Sequence, residues 1–144
     1  HIGNFTRGLG LFTGIEYTVP AEETDSVYPV ILTTGRMLEH FHTGTMSRNS
    51  RVLHETVPEA FVEISPDDAA KFNVKDNETV TVSTRRGAID IKARITPMPK
   101  NNVVFIPFHF AEAAANRLTI DALDPTCKMP ELKVCACRIE KKRA

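Results

Sequence analysis

The sequence predicts a mainly β domain with short helices, in which the strands close or nearly close into a barrel. Six or seven short strand-like runs follow one another with little helix between them, and strands at this spacing are typical of a barrel. The length of 144 residues fits one domain. A domain of this size buries about two thirds of the surface that its unfolded chain exposes, so a core can form without disulfides.

The strand-like runs differ in pattern according to their expected burial. Some are short β-branched runs, which predict buried strands. Two others alternate polar and apolar residues, as half-buried strands do, and the turn residues between these two predict a hairpin. The expected strands cover residues 29–34, 60–64, 79–84, 88–95, 103–106 and 133–139.

One short helix is predicted at residues 66–72. Ser65 suits the N-cap, Pro66 suits the first helical position, and the two following acids favour the helix dipole. Residues 111–116 also have high helix propensity, although the run is short.

Residues 1–27 have weak periodicity and four glycines, and we interpret them as an arm or linker from a preceding domain that needs a partner surface to pack on. The barrel domain is then expected at residues 28–144. The acidic run at residues 22–25 is more typical of a solvated face than of a binding site. Because the chain begins with His1 rather than Met, we expect a fragment of a longer chain, or a processed or tagged one.

Charge and cysteine content narrow the class of protein. The 18 Lys and Arg balance the 18 Asp and Glu, which argues against binding of nucleic acid or an anionic membrane through bulk charge. No apolar run approaches the roughly 20 residues that span a bilayer. Three cysteines without framework spacing argue against a disulfide scaffold and favour a reducing compartment, so we expect a cytoplasmic protein.

The first candidate site is the end of the first predicted strand, at Thr34, Gly35 and Arg36. A strand end followed by Gly exposes backbone N–H groups, and a neighbouring Arg suits a phosphate or pyrophosphate oxygen. The alternative is that Gly35 simply ends the strand.

The second candidate is the polar loop that follows, at residues 36–51. A loop of this length inside a compact domain is unusual and tends to be functional. His40 and His42 have a spacing open to metal ligation, but a structural zinc site needs four ligands. A polar ligand-binding loop is the favoured interpretation, since its Thr, Ser, His and Arg side chains supply many donors.

The third candidate comprises Phe108, His109, Phe110 and Asn116, just past a buried strand. Two aromatic rings and a His can stack on a flat ring and bind its edge; the alternative is an aromatic plug at a barrel end. Cys135 and Cys137 are more simply explained as small buried hydrophobic residues. The chain has no phosphate-binding loop, nucleophile elbow, zinc-protease motif or iron–sulfur cysteine run, so we expect no catalytic residues and no metal site within it.

Seven runs cover essentially the whole chain in order and are specific in sequence. The runs are FTRGLGLF at 5–12, PAEE at 20–23, YPVILTTGRMLEHFHTGTMSR at 28–48, PEAFVEISPDDA at 58–69, VFIPFHFAEAAAN at 104–116, DALDP at 121–125 and PELKVCACR at 130–138. They strongly resemble the α subunits of formate dehydrogenases. The chain is similar there to the C-terminal molybdopterin dinucleotide-binding domain, within the molybdopterin oxidoreductase (DMSO reductase) superfamily.

The resemblance implies a six-stranded double-psi β-barrel that covers molybdopterin guanine dinucleotide, two per molybdenum or tungsten ion. The whole enzyme would oxidise formate to carbon dioxide with two electrons, using iron–sulfur clusters and a metal ligand in other domains. This domain would be inactive alone. The resemblance makes these residues candidate cofactor contacts: Thr34, Gly35, Arg36, Glu39, His40, His42, Thr43, Met46, Phe108, His109, Phe110, Asn116 and Lys133.

The expected partners are the preceding domains of the same subunit and electron-transfer subunits, with neither nucleic acid nor membrane in contact with this domain. Two alternatives stay open. One is the same domain in a related molybdopterin oxidoreductase that acts on nitrate or another small substrate. The other is a standalone metal-binding or interaction barrel that uses His40, His42 and His109.

Overall fold

A computed structural model describes residues 2–142 of the chain. The fold consists mainly of short β-strands in which buried and exposed side chains alternate. Burial alternates along the strands, as in β3, where Val80 and Val82 are fully buried, Thr79 is exposed, and Thr81 and Ser83 are partly exposed. The strands are β1 (Val30–Gly35), β2 (Phe61–Ile64), β3 (Thr79–Ser83), β4 (Ala88–Ile95), β5 (Val103–Pro107) and β6 (Cys135–Lys141).

The six strands form a closed barrel in the order β1-β5-β2-β4-β3-β6. Two pairs are parallel, β1 with β5 and β2 with β4, and the other four neighbours are antiparallel. The prediction of a mainly β, six-stranded double-psi barrel is confirmed. Closure leaves no free sheet edge, which removes the usual site of strand-to-strand aggregation.

The barrel interior is filled by aliphatic side chains from all six strands. Cys135 and Cys137 are free thiols buried in this core, which confirms their interpretation as small hydrophobic residues. Burial, with the neighbouring Cys135 thiol and Glu22, raises the pKa of Cys137 to about 12. A thiol with such a pKa stays protonated and unreactive at neutral pH.

The predicted helix is present as α2 (Pro66–Phe72), and its start follows the sequence signals. The Ser65 side chain accepts a hydrogen bond from the Asp68 N–H at 3.1 Å, and the Ser65 hydroxyl donates to the Asp68 carboxylate at 3.0 Å. The same carboxylate accepts from the Asn102 N–H at 2.6 Å. The cap therefore also joins α2 to the entry of β5.

Other predicted boundaries differ from the structure. Helix α1 (Arg51–Thr56) follows a 3-10 turn at Ser47–Asn49, and neither was predicted. None of the residues of α1 is buried, so the helix leaves no apolar period in the sequence. Residues 111–116 contribute to two 3-10 turns, Ala111–Ala113 and Ala115–Arg117, rather than one helix. Strand β6 begins at Cys135, two residues later than predicted.

The N-terminal arm is exposed from residue 2 to residue 19, and its apolar side chains, such as Phe12, lie in solvent. The interpretation of residues 22–25 as a solvated face is wrong for Glu22, which is partly buried, whereas Asp25 is exposed as predicted. Both carboxylates pair with Arg85, and Glu22 also accepts two hydrogen bonds from Arg86 and one from the Ala136 N–H.

Across residues 2–142, no helix has the length and apolar character that crossing a membrane requires.

Candidate cofactor-binding site

The three predicted contact segments leave the barrel at the same end. Strands β1 and β5 are parallel, with Gly35 opposite Pro107, so the loops that follow them begin side by side. Strand β6 runs antiparallel to β1, with Cys135 opposite Leu32, which brings the residues before β6 to the same end. The ammonium group of Lys133 there donates to the carbonyl oxygen of Thr34.

The end of β1 is tightly packed, and this explains the glycine there. A Cβ at Gly35 would lie 2.6 Å from Cε2 of Phe105, a distance that atoms do not tolerate without a shift. The Thr34 hydroxyl donates to the carbonyl oxygen of Leu132 at 2.8 Å. Beyond this packed point Arg36 is exposed, as is Lys133, so two cations flank one strand end.

Two buried histidines hold the loop that follows β1. His109 is 1% exposed, and its Nε2 accepts from the Met37 N–H at 2.8 Å while Nδ1 contacts the carbonyl oxygen of His42. His40 is 3% exposed, with Nδ1 at 3.1 Å from Ser47 Oγ and Nε2 at 2.7 Å from the Val57 carbonyl oxygen. All four ring nitrogens are thus engaged inside the chain.

Desolvation lowers the pKa of His109, the hydrogen bond to the His42 carbonyl opposes that effect, and the nearby His40 and Arg36 lower it further. The net direction is downward, which favours a neutral imidazole at pH 7. A neutral ring has one donor and one acceptor nitrogen, and these match the carbonyl and N–H groups that it meets.

The aromatic residues of the third segment occupy different depths. Phe110 is 1% exposed and packs with Val57 and Phe61 in a small second core under the loop, whereas Phe108 is half-buried against the main core. The burial of Phe110 therefore agrees with the alternative interpretation of this residue as an aromatic plug. A ligand contact by Phe110, His40 or His109 would require these rings to leave their present partners.

Of the remaining predicted contacts, Thr34 and Gly35 are buried, and the others are partly or fully exposed. Glu39 is half-buried, and its Oε2 atom is buried without a hydrogen-bond partner among the described residues. A buried carboxylate oxygen of this kind calls for a donor from outside the chain. The exposed candidates are Arg36, His42, Thr43, Met46, Asn116 and Lys133.

Sequence reasoning missed two polar groups beside the loop, Glu112 and His54. Glu112 makes a two-pronged ion pair with Arg48, with Nη1 to Oε2 at 3.0 Å, and the Arg48 hydrogen bond lowers the pKa of the Glu112 carboxyl. His54 has a buried Nδ1 with no partner in the described chain. Neither residue belongs to a recognisable motif. Only the folded loop brings His54 to a cavity of about 380 Å³, which also contains Arg48, the partner of Glu112. The cavity is lined by Thr43, Gly44, Thr45, Arg48, Asn49, His54 and Ala111.

The chemistry of this end is that of a binding surface. Arg36 and Lys133 suit phosphate oxygens, and the Glu39 oxygen suits an N–H donor. Within residues 2–142, no group of three or more His, Cys, Asp or Glu side chains is arranged to hold a metal ion. The buried thiols lie in the barrel core, away from the loop.

Comparison with known proteins agrees with a ligand-binding role for this end of the barrel. Residues 30–136 match the family described as "Molydopterin dinucleotide binding domain". The chain belongs to this family. The matched residues run from Val30, the first residue of β1, to Ala136, the second residue of β6, and thus include all three segments of the candidate site.

Among similar curated proteins, the dinucleotide-binding domain is 54% identical over 134 residues to F420-dependent formate dehydrogenase 1 subunit alpha of Methanococcus maripaludis, covering 93% of this chain and 20% of that protein. It is 52% identical to F420-dependent formate dehydrogenase subunit alpha of Methanocaldococcus jannaschii, covering 94% of this chain and 20% of that protein. It is 42% identical to the assimilatory nitrate reductase catalytic subunit of Bacillus subtilis, covering 86% of this chain and 18% of that protein. The chain therefore spans about a fifth of the length of these relatives.

A solved structure supports the fold. Acetylene hydratase from Pelobacter acetylenicus superposes with a TM-score of 0.70 over 80% of this chain and 18% of that chain, at 18% sequence identity. At this identity the likeness concerns the fold alone.

Proposed function

We propose that this end of the barrel binds the dinucleotide part of molybdopterin guanine dinucleotide within a larger oxidoreductase subunit. The observation that carries the proposal is the meeting of three segments at one barrel end. These segments carry two exposed cations, Arg36 and Lys133, and a buried carboxylate oxygen of Glu39 that has no hydrogen-bond partner among the described residues. The family match over residues 30–136 supports a dinucleotide as the ligand.

The residues present fit such a group. Arg36 and Lys133 would hold pyrophosphate oxygens, because a guanidinium and an ammonium form short charge-assisted hydrogen bonds with phosphate. Guanine carries an exocyclic amino donor, and Glu39 Oε2 is a buried acceptor without a partner in the described chain. The predicted contacts His42, Thr43 and Asn116 would bind polar edges, and Met46 and Phe108 would cover ring faces.

The bound cofactor would supply the redox chemistry, and this chain would supply binding, orientation and exclusion of water. We propose formate as the substrate of the whole enzyme, oxidised to carbon dioxide, a proton and two electrons, because the two relatives above 50% identity carry that name. Their names also favour F420 as the electron acceptor. Molybdenum or tungsten, iron–sulfur clusters, electron-transfer subunits and a cytoplasmic location belong to the same proposal.

A second candidate is nitrate reduction, which the 42% identity to a nitrate reductase subunit favours. Dye-linked assays of the full-length enzyme distinguish the two substrates. We expect formate oxidation and no nitrate reduction from that enzyme, and no formate oxidation from the 144-residue chain alone. Nitrate reduction without formate oxidation would replace the first candidate by the second.

Guanosine diphosphate is a suitable probe of the dinucleotide site in the 144-residue chain. We expect its addition to shift backbone NMR signals at residues 34–46. Arg36→Ala should weaken binding roughly tenfold, since it removes a charge-assisted contact. Lys100→Ala is the matched control, because Lys100 is exposed in the loop before β5, at the opposite end of that strand. Equal binding by both variants, or shifts confined to another surface, would refute the site.

A further inference from the structure

His40 and His109 lie against each other beneath the loop that follows β1, with their ring centroids 5.6 Å apart. Both rings are almost fully buried, and each bonds at both nitrogens to the loop or to its flanks. Histidines with four engaged nitrogens have no free polar atom for a ligand, yet they sit at the centre of the candidate site.

The partners of His109 fix its tautomer. A backbone N–H only donates, so Nε2, which faces the Met37 N–H at 2.8 Å, must be the unprotonated nitrogen. A carbonyl oxygen only accepts, so Nδ1, which faces the His42 carbonyl, must carry the proton. His109 is therefore the neutral Nδ1–H form, which agrees with the lowered pKa of its buried ring.

The partners of His40 fix the opposite tautomer. Its Nε2 lies 2.7 Å from the Val57 carbonyl oxygen and therefore carries the proton. In the neutral ring Nδ1 is then an acceptor, and it faces the hydroxyl of Ser47 at 3.1 Å, which can donate to it. The same hydroxyl oxygen accepts from the Phe41 N–H at 3.0 Å, so His40 also orients Phe41 through Ser47.

We infer that His40 and His109 are positioning residues, held in opposite neutral tautomers, that fix the loop of residues 37–47 in the shape that binds the nucleotide. This inference rests on the proposed function for the role of the loop. His109 ties the loop to β5 at Met37 and His42, and His40 ties it to the chain at Val57 on the approach to β2. The accessible groups between these ties, Glu39, His42 and Thr43, then keep their places without contact between either imidazole and the ligand.

Long-range proton–nitrogen NMR spectra of the 15N-labelled 144-residue chain at pH 7 test the tautomers directly. We expect His109 to show a protonated Nδ1 and an unprotonated Nε2, and His40 to show the reverse. The exposed His42 is the internal control and should give averaged signals. The same tautomer in both buried rings, or averaged signals from either, would overturn the inference.

Conservative variants separate the two bonds of His109. In His109→Gln the side-chain carbonyl reaches the position of Nε2 and can accept from Met37, whereas in His109→Asn the side-chain amide reaches only the position of Nδ1. We expect hydrogen-exchange protection of the Met37 amide to persist in His109→Gln and to be lost in His109→Asn. Protection of the Val82 amide, in the buried middle of β3, should be unchanged in both and reports that the barrel is folded.

Binding of guanosine diphosphate to the same variants tests whether the loop shape matters for the ligand. We expect His109→Asn to bind guanosine diphosphate roughly two- to tenfold more weakly than the unmodified chain, since a loosened loop must be ordered on binding, and His109→Gln to recover part of that loss. Unchanged binding in His109→Asn, with the Met37 amide unprotected, would overturn the positioning role. Absence of binding in the unmodified chain, with both tautomers as stated, would refute the proposed ligand instead.

Discussion

At the scale of single residues, Gly35 shows how packing can dictate a residue next to a binding surface. Its backbone conformation is ordinary extended strand, so the glycine is not required for a left-handed turn. The requirement comes from the ring of Phe105, which fills the space that a Cβ would occupy. The close approach lets β1 and β5 end side by side, and the two following loops begin from that point.

Gly35→Ala should therefore destabilise the barrel by about 1–3 kcal/mol, the usual range for overpacking a filled site. Urea unfolding of the 144-residue chain measures this loss. Gly14→Ala is the control, because no heavy atom lies within 4 Å of a Cβ at Gly14, and we expect a change within about 0.5 kcal/mol. If the ring of Phe105 is the obstacle, Phe105→Leu should make the Gly35→Ala substitution less harmful. An unchanged penalty in the double variant would contradict this explanation.

At the scale of elements, the two α-helices differ in what holds their first turns. Helix α2 has a buried Ser65 cap with a side-chain hydrogen bond, while Ser50 stands at the N-cap of α1 without one. Helix α2 also packs a buried face on the core, through Ala69, and α1 has no buried residue. Helix α2 was predictable from its sequence signals, and α1 was not.

Ser65→Ala should lower the free energy of unfolding by about 1–2 kcal/mol, because a buried cap is lost and Asp68 loses one of its hydrogen-bond donors. Ser50→Ala is a matched substitution at the other N-cap and should change stability by less than about 0.5 kcal/mol. Thermal and urea unfolding of both variants provide the comparison. Equal losses at the two serines would show that the side-chain hydrogen bond of Ser65 is not what distinguishes them.

At the scale of the whole molecule, the sequence was most informative where burial repeats. Alternation along Thr79–Ser83 and Ala88–Ile95 predicted β3 and β4, and the barrel followed from the number and spacing of such runs. The loop after β1 has no period, and its ordering depends on His109, 67 residues away from its partner His42. Contacts across such separations leave no local pattern, so the two histidines were predicted as ligand contacts and not as parts of the loop's support.

Glu22 makes long-range contacts that its position in a run of acidic residues did not predict. Its carboxylate joins the arm to the β3–β4 turn through Arg85 and Arg86, and to β6 through the Ala136 N–H at 2.9 Å. Desolvation of the carboxyl opposes its ionisation, but the hydrogen bonds from Arg86, the Ala136 N–H and Arg85 outweigh it and lower the pKa of Glu22 from 4.5 to about 2.

Stability should therefore depend on Glu22 in a defined pH window. An acid whose folded pKa lies below its unfolded pKa stabilises the folded state above the unfolded value, and this contribution disappears as the pH falls from about 4.5 to about 2. The shift sets an upper limit of about 3 kcal/mol at pH 7. We expect Glu22→Gln to lose about 1–3 kcal/mol at pH 7 in urea unfolding and about a quarter of that loss at pH 2.5, which lies just above the folded pKa. Glu23→Gln, at an exposed neighbour, should match the unmodified chain at both pH values, since its side chain lies in solvent. A Glu22→Gln loss that is equally large at pH 7 and pH 2.5 would mean that packing, and not the ionised carboxylate, ties the arm to the barrel.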